Sequence, residues 1–93
     1  MYELKTTSQF KKDLKKIKTR ASDFALTTKV LKLLQANGHL AIPEQMRPHK
    51  LKGAYKDNWE CHIKPDLLII WFQIEDPQTI RLVRIGSHSD LFR

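Results

Sequence analysis

The sequence predicts an α+β fold in which a basic helical hairpin packs on an antiparallel β-sheet meander. A short strand precedes the hairpin, and a short helical turn follows the meander. Helical apolar patterns fill most of residues 6–37, and strand patterns fill residues 49–86. A hairpin with one apolar side needs a second layer to cover that side, and the later strands supply it. A length of 93 residues predicts a single domain over residues 1–93.

The first strand and the first helix are predicted from local signals. Tyr2–Lys5 fits a short strand. Thr6, Thr7 and Ser8 offer helix-capping hydroxyls, and Thr6 with Gln9 fits a capping box at the start of the helix. The apolar stripe of this helix, at positions i, i+4 and i+7, consists of Phe10, Leu14 and Ile17. Lysines fill its other faces.

The second helix is predicted to begin at a cap supplied by Ser22 or Asp23. It ends at Asn37–Gly38, because glycine commonly follows the last helical residue. Its apolar stripe consists of Leu26, Val30, Leu33 and Leu34. The two stripes together predict one buried side for the hairpin.

The meander is predicted from two kinds of apolar pattern. Residues 59–64 alternate between apolar and polar, which places His62 on the face opposite Trp59 and Ile63. Leu67–Phe72 is continuously apolar, as in a central strand that is covered on both faces.

The outer strands are predicted at His49–Leu51 and at Thr79–Gly86. In the last strand Arg84 shares parity with Ile80 and Leu82, so it could lie at the edge of the core.

Turn signals separate these strands. Pro65 makes Lys64–Leu67 a tight turn, and Asp76–Pro77 marks the next one. Ser87 or Ser89 is the predicted start of the final helical turn.

The charge is strongly positive and unevenly distributed. The net charge is +7, and residues 1–35 carry nine Lys/Arg against three Asp/Glu. Such a surface attracts polyanions and predicts RNA or an acidic protein as a partner, although a solvated helix surface is a simpler alternative. The predicted RNA-binding residues are Lys11, Lys12, Lys15, Lys16, Lys18, Lys50, Lys52 and Lys64.

The cysteine content and the apolar runs predict a cytoplasmic protein. Cys61 is the single cysteine, so no internal disulfide can form. The N-terminus lacks the pattern of a signal peptide, and the longest apolar run is Leu67–Phe72, too short to span a bilayer.

Six side chains in the last half of the sequence have the chemistry to cleave RNA without a metal or cofactor. Histidine suits a general acid or base because its ordinary pKa is about 6.5. An arginine fork can hold two phosphate oxygens, and an aromatic ring can stack on an unpaired base. The six are His49, His62, Asp66, Arg84, His88 and Phe92. Simpler roles exist, since Asp66 could be a turn residue and Phe92 a core side chain.

Three segments resemble the YafQ branch of the RelE toxin superfamily. They are His49–Gly53, Trp59–Trp71 and Arg84–Phe92, which carry the patterns H-x-L-x-G, H-x-x-P-D and R-x-G-[ST]-H-x-x-L-F. The resemblance implies the toxin of a type II toxin-antitoxin system. It further implies a ribosome-dependent endoribonuclease that cuts mRNA in the A site by metal-independent 2′-hydroxyl attack. The implied partners are a cognate antitoxin, mRNA and ribosomal RNA.

The resemblance also implies catalytic roles. His88 would be the general acid, and either His62 or Asp66 the general base. Arg84 would stabilise the phosphorane. His49 would assist the base or hold the phosphate.

The remaining site positions include one departure from the family pattern. Phe92 would stack on a base or wedge beside it. Leu67 stands where branch members can carry tryptophan, so no ring stacks at that position. Lys64 stands where an acidic residue also occurs, which makes the mouth of the site more basic.

Three alternatives remain open. The chain could resemble the non-catalytic ParE gyrase poisons, although these lack the histidine cluster. It could be a metal-dependent hydrolase with His49, His62, Asp66 and His88 as ligands, although their spacing fits no zinc signature. It could also be an RNA-binding regulatory module.

Overall fold

A computed structural model describes residues 1–92 of the chain, and its helices and strands form an α+β fold. The regular elements are β1 (Glu3–Thr6), α1 (Ser8–Lys18), α2 (Ala21–Asn37), β2 (His49–Lys50), β3 (Trp59–Lys64), β4 (Leu67–Glu75), β5 (Gln78–Gly86) and α3 (His88–Leu91). Short 3₁₀ turns occupy 38–41, 44–46 and 53–55. The predicted fold class is confirmed. No helix within residues 1–92 has both the length and the apolar character needed to cross a membrane.

The five strands form one sheet in the order β1-β5-β4-β3-β2. The pairing of β1 with β5 is parallel, and the other three pairings are antiparallel. β1 pairs only with residues 79–82, so β5 continues beyond the end of its neighbour. Beyond that end, Thr7 supplies the hydrogen bonds to β5. Its N–H donates to the carbonyl of Leu82 at 3.1 Å, and its hydroxyl donates to the carbonyl of Val83 at 2.9 Å. The start of α1 therefore covers an edge that β1 leaves open.

Both long helices bury their apolar stripes on one face of the sheet. Phe10 and Ile17 from α1, and Val30 and Leu34 from α2, are buried together with Trp71. Other buried members of this cluster are Cys61, Ile63, Leu67, Ile69, Ile80, Leu82 and Ile85. Each fully buried large apolar side chain contributes about 1.5–3 kcal/mol. The predicted stripes are confirmed, with Leu14, Leu26 and Leu33 at the margin of the cluster.

The opposite face of the sheet has a much smaller apolar cluster. Leu68, Ile70 and Leu91 are buried there. The half-buried side chains that pack against them are Leu51, Tyr55 and Val83. Within residues 1–92, α3 and the 51–55 segment supply the apolar side chains that pack on this face, and a cleft remains beside them.

Of the three hydroxyls predicted to cap α1, the structure uses that of Thr7, whereas the capping box of Thr6 with Gln9 and the side-chain cap of α2 are wrong. β1 continues through Thr6, and Thr7 therefore caps α1, accepting from the Phe10 N–H at 3.0 Å. α2 begins at Ala21 without a side-chain cap. Asp23 is buried instead, and its carboxylate accepts from Lys64 Nζ at 2.7 Å.

The parity assigned to Arg84 is also wrong, because β5 contains a β-bulge. Trp71 pairs with Leu82 and Ile70 pairs with Arg84, so Val83 is one residue in excess. Such a bulge reverses the side-chain alternation that follows it. Arg84 therefore pairs with Ile70, out of step with Leu82, and its guanidinium contacts Asp13 of α1.

We expect Gly38→Ala to destabilise the fold by about 1–3 kcal/mol. Gly38 has φ +59° and ψ −146°, a region that side chains disfavour, and a Cβ would lie 2.7–2.8 Å from the Gln73 amide. That amide oxygen accepts from the His39 N–H and from Trp71 Nε1. Urea unfolding monitored by tryptophan fluorescence measures the loss.

The matched control is Gly53→Ala. Gly53 also has a positive φ, +74°, but a Cβ there would meet nothing within 4 Å. The Gly53→Ala variant therefore has the strain of a positive φ but no steric clash of the new Cβ. A loss for Gly38→Ala no greater than that for Gly53→Ala would contradict the assignment.

Candidate active site

Three of the four histidines converge on the sheet face that the long helices leave open. His49 lies on β2, His62 on β3, and His88 is the first residue of α3. The ring centroids of His49 and His62 are 6.5 Å apart, and those of His62 and His88 are 5.7 Å apart. His39 is elsewhere, stacked on Trp59 at 4.0 Å. As predicted, His62 faces away from the side on which Trp59 and Ile63 pack.

A buried carboxylate lies beneath two of these rings. Glu60 is 4% exposed, and its Oε1 is 3.2 Å from His49 Nε2 and 3.9 Å from His62 Nε2. Its Oε2 is buried and has no hydrogen-bond partner within residues 1–92. Glu60 was not among the predicted site residues. The signal was present, because Glu60 and His62 are two apart on one strand and therefore share a face.

Both nitrogens of the His49 ring face groups that only accept hydrogen bonds. Nδ1 is 2.7 Å from the carbonyl oxygen of Arg47, and Nε2 faces the Glu60 carboxylate. These two contacts fix the orientation of the His49 ring in the cleft.

His88 is held by Asp66 through two contacts to one oxygen. Asp66 Oδ1 accepts from the His88 backbone N–H at 2.9 Å and from ring Nδ1 at 2.7 Å. These backbone and ring hydrogen bonds lower the pKa of Asp66. Asp66 is thus more than a turn residue. Because Nδ1 donates to the carboxylate, Nε2 is the ring nitrogen of His88 that can exchange a proton.

Arg84 is bound by a carboxylate from α1. Asp13 Oδ2 accepts from Arg84 Nε at 2.8 Å, and Oδ1 accepts from Nη2 at 3.1 Å. Asp13 also accepts from the Ile85 N–H and from the Gln9 amide, at 3.1 and 3.0 Å. Burial alone raises the pKa of Asp13, but the hydrogen bonds from Arg84, Gln9 and Ile85 outweigh it and lower that pKa. Conversely, the hydrogen bonds to Asp13 raise the pKa of Arg84.

The aromatic position at the end of the chain is half exposed. Phe92 is 45% exposed and meets Tyr55 edge to face, with centroids 5.8 Å apart. The Tyr55 side chain adds to the rise in the pKa of Arg84 that Asp13 causes. The neighbouring Leu91 fills the core instead. Phe92 therefore has an exposed ring that could meet a base.

Five of the six predicted site residues divide between two adjoining clefts, and Phe92 lines neither. One, of about 730 Å³, is lined by His49, Glu60, His62 and His88. The other, of about 610 Å³, lies where α1 and α2 meet the end of the sheet, and Asp66 and Arg84 line it. The structure brings the histidines together but leaves Arg84 in the second cleft. The Asp66–His88 contact joins the two.

The predicted RNA-binding lysines have different surroundings. The five on α1 are exposed, and the only acidic residue of that helix, Asp13, is buried. Lys64 is paired with Asp23, and Lys50 Nζ lies 5.8 Å from the centre of the Trp59 ring. The exposed charge of α1 is therefore entirely positive.

Within the part of the chain that the structure describes, no three His, Cys, Asp or Glu side chains converge in a way that could hold a metal ion. The residues named for the metal-hydrolase alternative are thus near one another without forming a ligand set. Asp66 is engaged with His88, and His49 with Glu60.

Comparisons with known proteins agree on one family. The family model described as "Bacterial toxin of type II toxin-antitoxin system, YafQ" matches residues 2–93. The mRNA interferase toxin YafQ of Escherichia coli K12 is 30% identical over 90 residues, covering 97% of this chain and 95% of the relative.

Solved structures of similar proteins share the fold. The crystal structure of YafQ from E. coli BL21(DE3) has a TM-score of 0.88 at 26% identity, with full coverage of both chains. The crystal structure of the E. coli DinJ-YafQ complex matches with a TM-score of 0.85 at 27% sequence identity, again with full coverage of both chains. A metal-bound toxin from Helicobacter pylori has a TM-score of 0.82 at 38% sequence identity, covering 99% of this chain and all of the other.

We expect Asp13→Asn to lower the free energy of unfolding by about 3 kcal/mol near neutral pH, since it breaks a buried ion pair. The folded state lowers the pKa of Asp13 below the unfolded value of about 3.9. The stabilisation is therefore present above about pH 4 and is lost as pH falls through the folded value. Urea unfolding of both proteins between pH 7 and pH 2.5 should show the difference shrinking in acid. A difference that stays constant with pH would contradict this.

Proposed function

The chain belongs to the YafQ family of type II toxin-antitoxin toxins, and on that premise we propose that it is a ribosome-dependent mRNA endoribonuclease. The toxin cuts the message in the A-site codon and thereby stops translation. The observation that carries the proposal is the convergence of three histidines and a buried glutamate in one cleft, with His88 aimed by Asp66. The ribosomal target places the action in the cytoplasm, and one domain, residues 1–93, performs it.

His88 is the general acid. Asp66 fixes the ring through Nδ1 and leaves Nε2 to give its proton to the departing 5′-oxygen. Asp66 is thereby a positioning residue, and its lowered pKa keeps it ionised and able to accept from His88. This use of Asp66 favours His62 as the general base.

His62 takes the proton of the ribose 2′-hydroxyl. Its ring is 19% exposed and lies beside that of His88, so both can reach one phosphodiester. The 2′-oxygen forms a bond to phosphorus, and the bond from phosphorus to the 5′-oxygen breaks. His88 protonates the leaving oxygen, which gives a 2′,3′-cyclic phosphate and a 5′-hydroxyl. Glu60, 3.9 Å from His62, stabilises the imidazolium that forms.

His49 and Arg84 act beside the acid and the base. His49, which lines the same cleft as His62 and His88, assists the base or holds the phosphate. Arg84 stabilises the phosphorane from the adjoining cleft, beside the Asp66–His88 contact. Phe92, exposed next to Tyr55, stacks on a base of the message. The mechanism assigns no step to a metal or cofactor.

The basic hairpin binds the ribosome, and the antitoxin covers the site. The exposed face of α1, positive throughout, contacts ribosomal RNA phosphates through Lys11, Lys12, Lys15, Lys16 and Lys18. Lys50, Lys52 and Lys64, which follow the hairpin in the chain, contact the message. A cognate antitoxin with an acidic segment covers the site, in keeping with the DinJ-YafQ complex of the E. coli relative.

The test uses purified ribosomes stalled on a defined message, with the protein added in the presence of EDTA. Mapping of the fragment ends should show a cut in the A-site codon that leaves a cyclic phosphate. An intact message in the presence of folded protein would favour a non-catalytic, ParE-like toxin or an RNA-binding module. Cutting that EDTA abolishes would overturn the metal-independent mechanism, a relevant outcome because the H. pylori relative is described as metal-bound.

We expect His88→Ala to reduce the single-turnover cleavage rate by roughly two to four orders of magnitude, because the leaving oxygen loses its acid. Folding should survive, since the His88 side chain is 54% exposed. The matched control is His39→Ala, which removes a histidine that stacks on Trp59 away from the cleft. Wild-type cleavage by folded His88→Ala would refute the assignment.

We expect the affinity for the ribosome to fall steeply as the salt concentration rises. The double variant Lys11→Gln/Lys15→Gln should reduce the slope of log affinity against log salt concentration by about one unit for each phosphate that it no longer neutralises. The matched control is Lys29→Gln/Lys32→Gln, which removes two charges from α2. Filter binding between 50 and 300 mM KCl gives the slopes. Equal slopes for the two double variants would argue against a specific role for α1.

A further inference from the structure

We infer that Asp13 is a positioning residue for Arg84, so that a buried carboxylate of α1 sets the orientation of the guanidinium that meets the phosphate. The inference deepens the proposed function and depends on it. Asp13 lies outside the histidine cleft, on the far side of Arg84.

The contacts of Asp13 make its carboxylate an immobile anchor. It is 7% exposed, and its two oxygens accept four hydrogen bonds at 2.8–3.1 Å. One of the four comes from the Ile85 backbone N–H, which belongs to the stretch of β5 that β1 leaves unpaired. Asp13 is therefore fixed to the strand that carries Arg84. The helix and the guanidinium cannot move independently.

Arg84 needs such an anchor because of its place in the strand. The β-bulge at Val83 places Arg84 opposite Ile70, at the end of β5 where pairing with β1 has stopped. Its side chain is 22% exposed. A long arginine side chain at an open edge has many rotamers, and a rigid reaction centre requires one. Asp13 selects that rotamer.

The pairing fixes orientation and still leaves donors for a phosphate. A guanidinium has five N–H groups, and Asp13 accepts from one on Nε and one on Nη2. Three remain for Tyr55 and for a bound phosphate. Because the guanidinium is planar, holding two of its N–H groups fixes the direction of the other three.

The same carboxylate weakens the attraction of Arg84 for a phosphate. A negative charge in direct contact offsets part of the guanidinium charge at the substrate. An arginine used only for affinity would bind better without Asp13. The arrangement therefore predicts separate effects on kcat and on KM.

The hairpin contains a matched comparison for Asp13. Asp23 of α2 is buried to the same degree, 6% exposed, and accepts from Lys64 Nζ at 2.7 Å. Both carboxylates join a helix of the hairpin to a cation of the sheet. Only Asp13 pairs with the residue that is proposed to stabilise the phosphorane, Arg84. Loss of either ion pair costs stability, but only loss of the Asp13 pair should slow the chemical step.

The experiment measures cleavage of ribosome-bound message by wild-type protein, Asp13→Asn and Asp23→Asn, at a temperature where all are folded. Asp13→Asn should lower kcat by about 10- to 100-fold, the loss expected when a catalytic group is displaced by about 1 Å. Its KM should be unchanged or lower, because a negative charge is removed. Asp23→Asn should keep kcat within about twofold.

A double-mutant comparison shows whether Asp13 acts through Arg84. In an Arg84→Ala background, adding Asp13→Asn should reduce kcat no further, because there is no guanidinium left to position. A second multiplicative loss would overturn the inference.

If Asp13→Asn fails to fold, Arg84→Lys provides the test with Asp13 intact. Lysine keeps the charge but lacks the fork, so kcat should fall by a similar factor, and wild-type kcat in Arg84→Lys would overturn the inference.

An NMR measurement separates failure of this inference from failure of the proposed function. The Arg84 Nε–H, held by a buried carboxylate, should exchange slowly with water in the wild type and rapidly in Asp13→Asn. Slow exchange in both would overturn the positioning role. Wild-type protein that cleaves nothing would overturn the proposed function and the catalytic role of Asp13 with it. Wild-type kcat in folded Asp13→Asn would overturn this inference alone.

Discussion

The buried carboxylate of Asp13 is the contact on which the rest of the structure depends. It accepts hydrogen bonds from the side chain of Arg84 and from the N–H of Ile85, and so joins the hairpin to the sheet. Removing a partner from such a buried group costs several kcal/mol, because the remaining charge stays desolvated. One side chain thereby covers an unpaired strand edge, docks α1 and restrains a guanidinium next to the candidate site.

The division of the sheet into two unequal faces explains where the site lies. The long helices pack on one face, where Phe10 and Trp71 are at 0% exposure. On the other face, α3 and the 51–55 segment lie over Leu68 and Ile70. The histidines on that face stay at least partly exposed, and His49 and His62 project from paired strands. This combination of a rigid base and an open surface suits acid-base chemistry, where misplacement of a group by about 1 Å costs much of the rate.

Periodicity alone predicted most elements, and the failures have physical causes. The helix stripes and the end of α2 at Asn37 follow from spacing and from a glycine. The prediction that Arg84 shares strand parity with Ile80 and Leu82 was wrong because the alternation of residues in the sequence did not reveal the β-bulge.

The candidate site was harder to predict than the fold. Histidine spacing and family resemblance identified the residues that converge in the histidine cleft. Glu60 and Asp13 were missed because an acidic residue on an amphipathic pattern is assigned to solvent, whereas tertiary pairing buries both. The proposed chemistry depends on attack by a ribose 2′-hydroxyl, and the decisive test is a message with one 2′-deoxy nucleotide on the 5′ side of the A-site cut. We predict no cleavage at that bond, while the matched all-ribose message is cut. Cleavage of the deoxy message at the normal rate would contradict the mechanism.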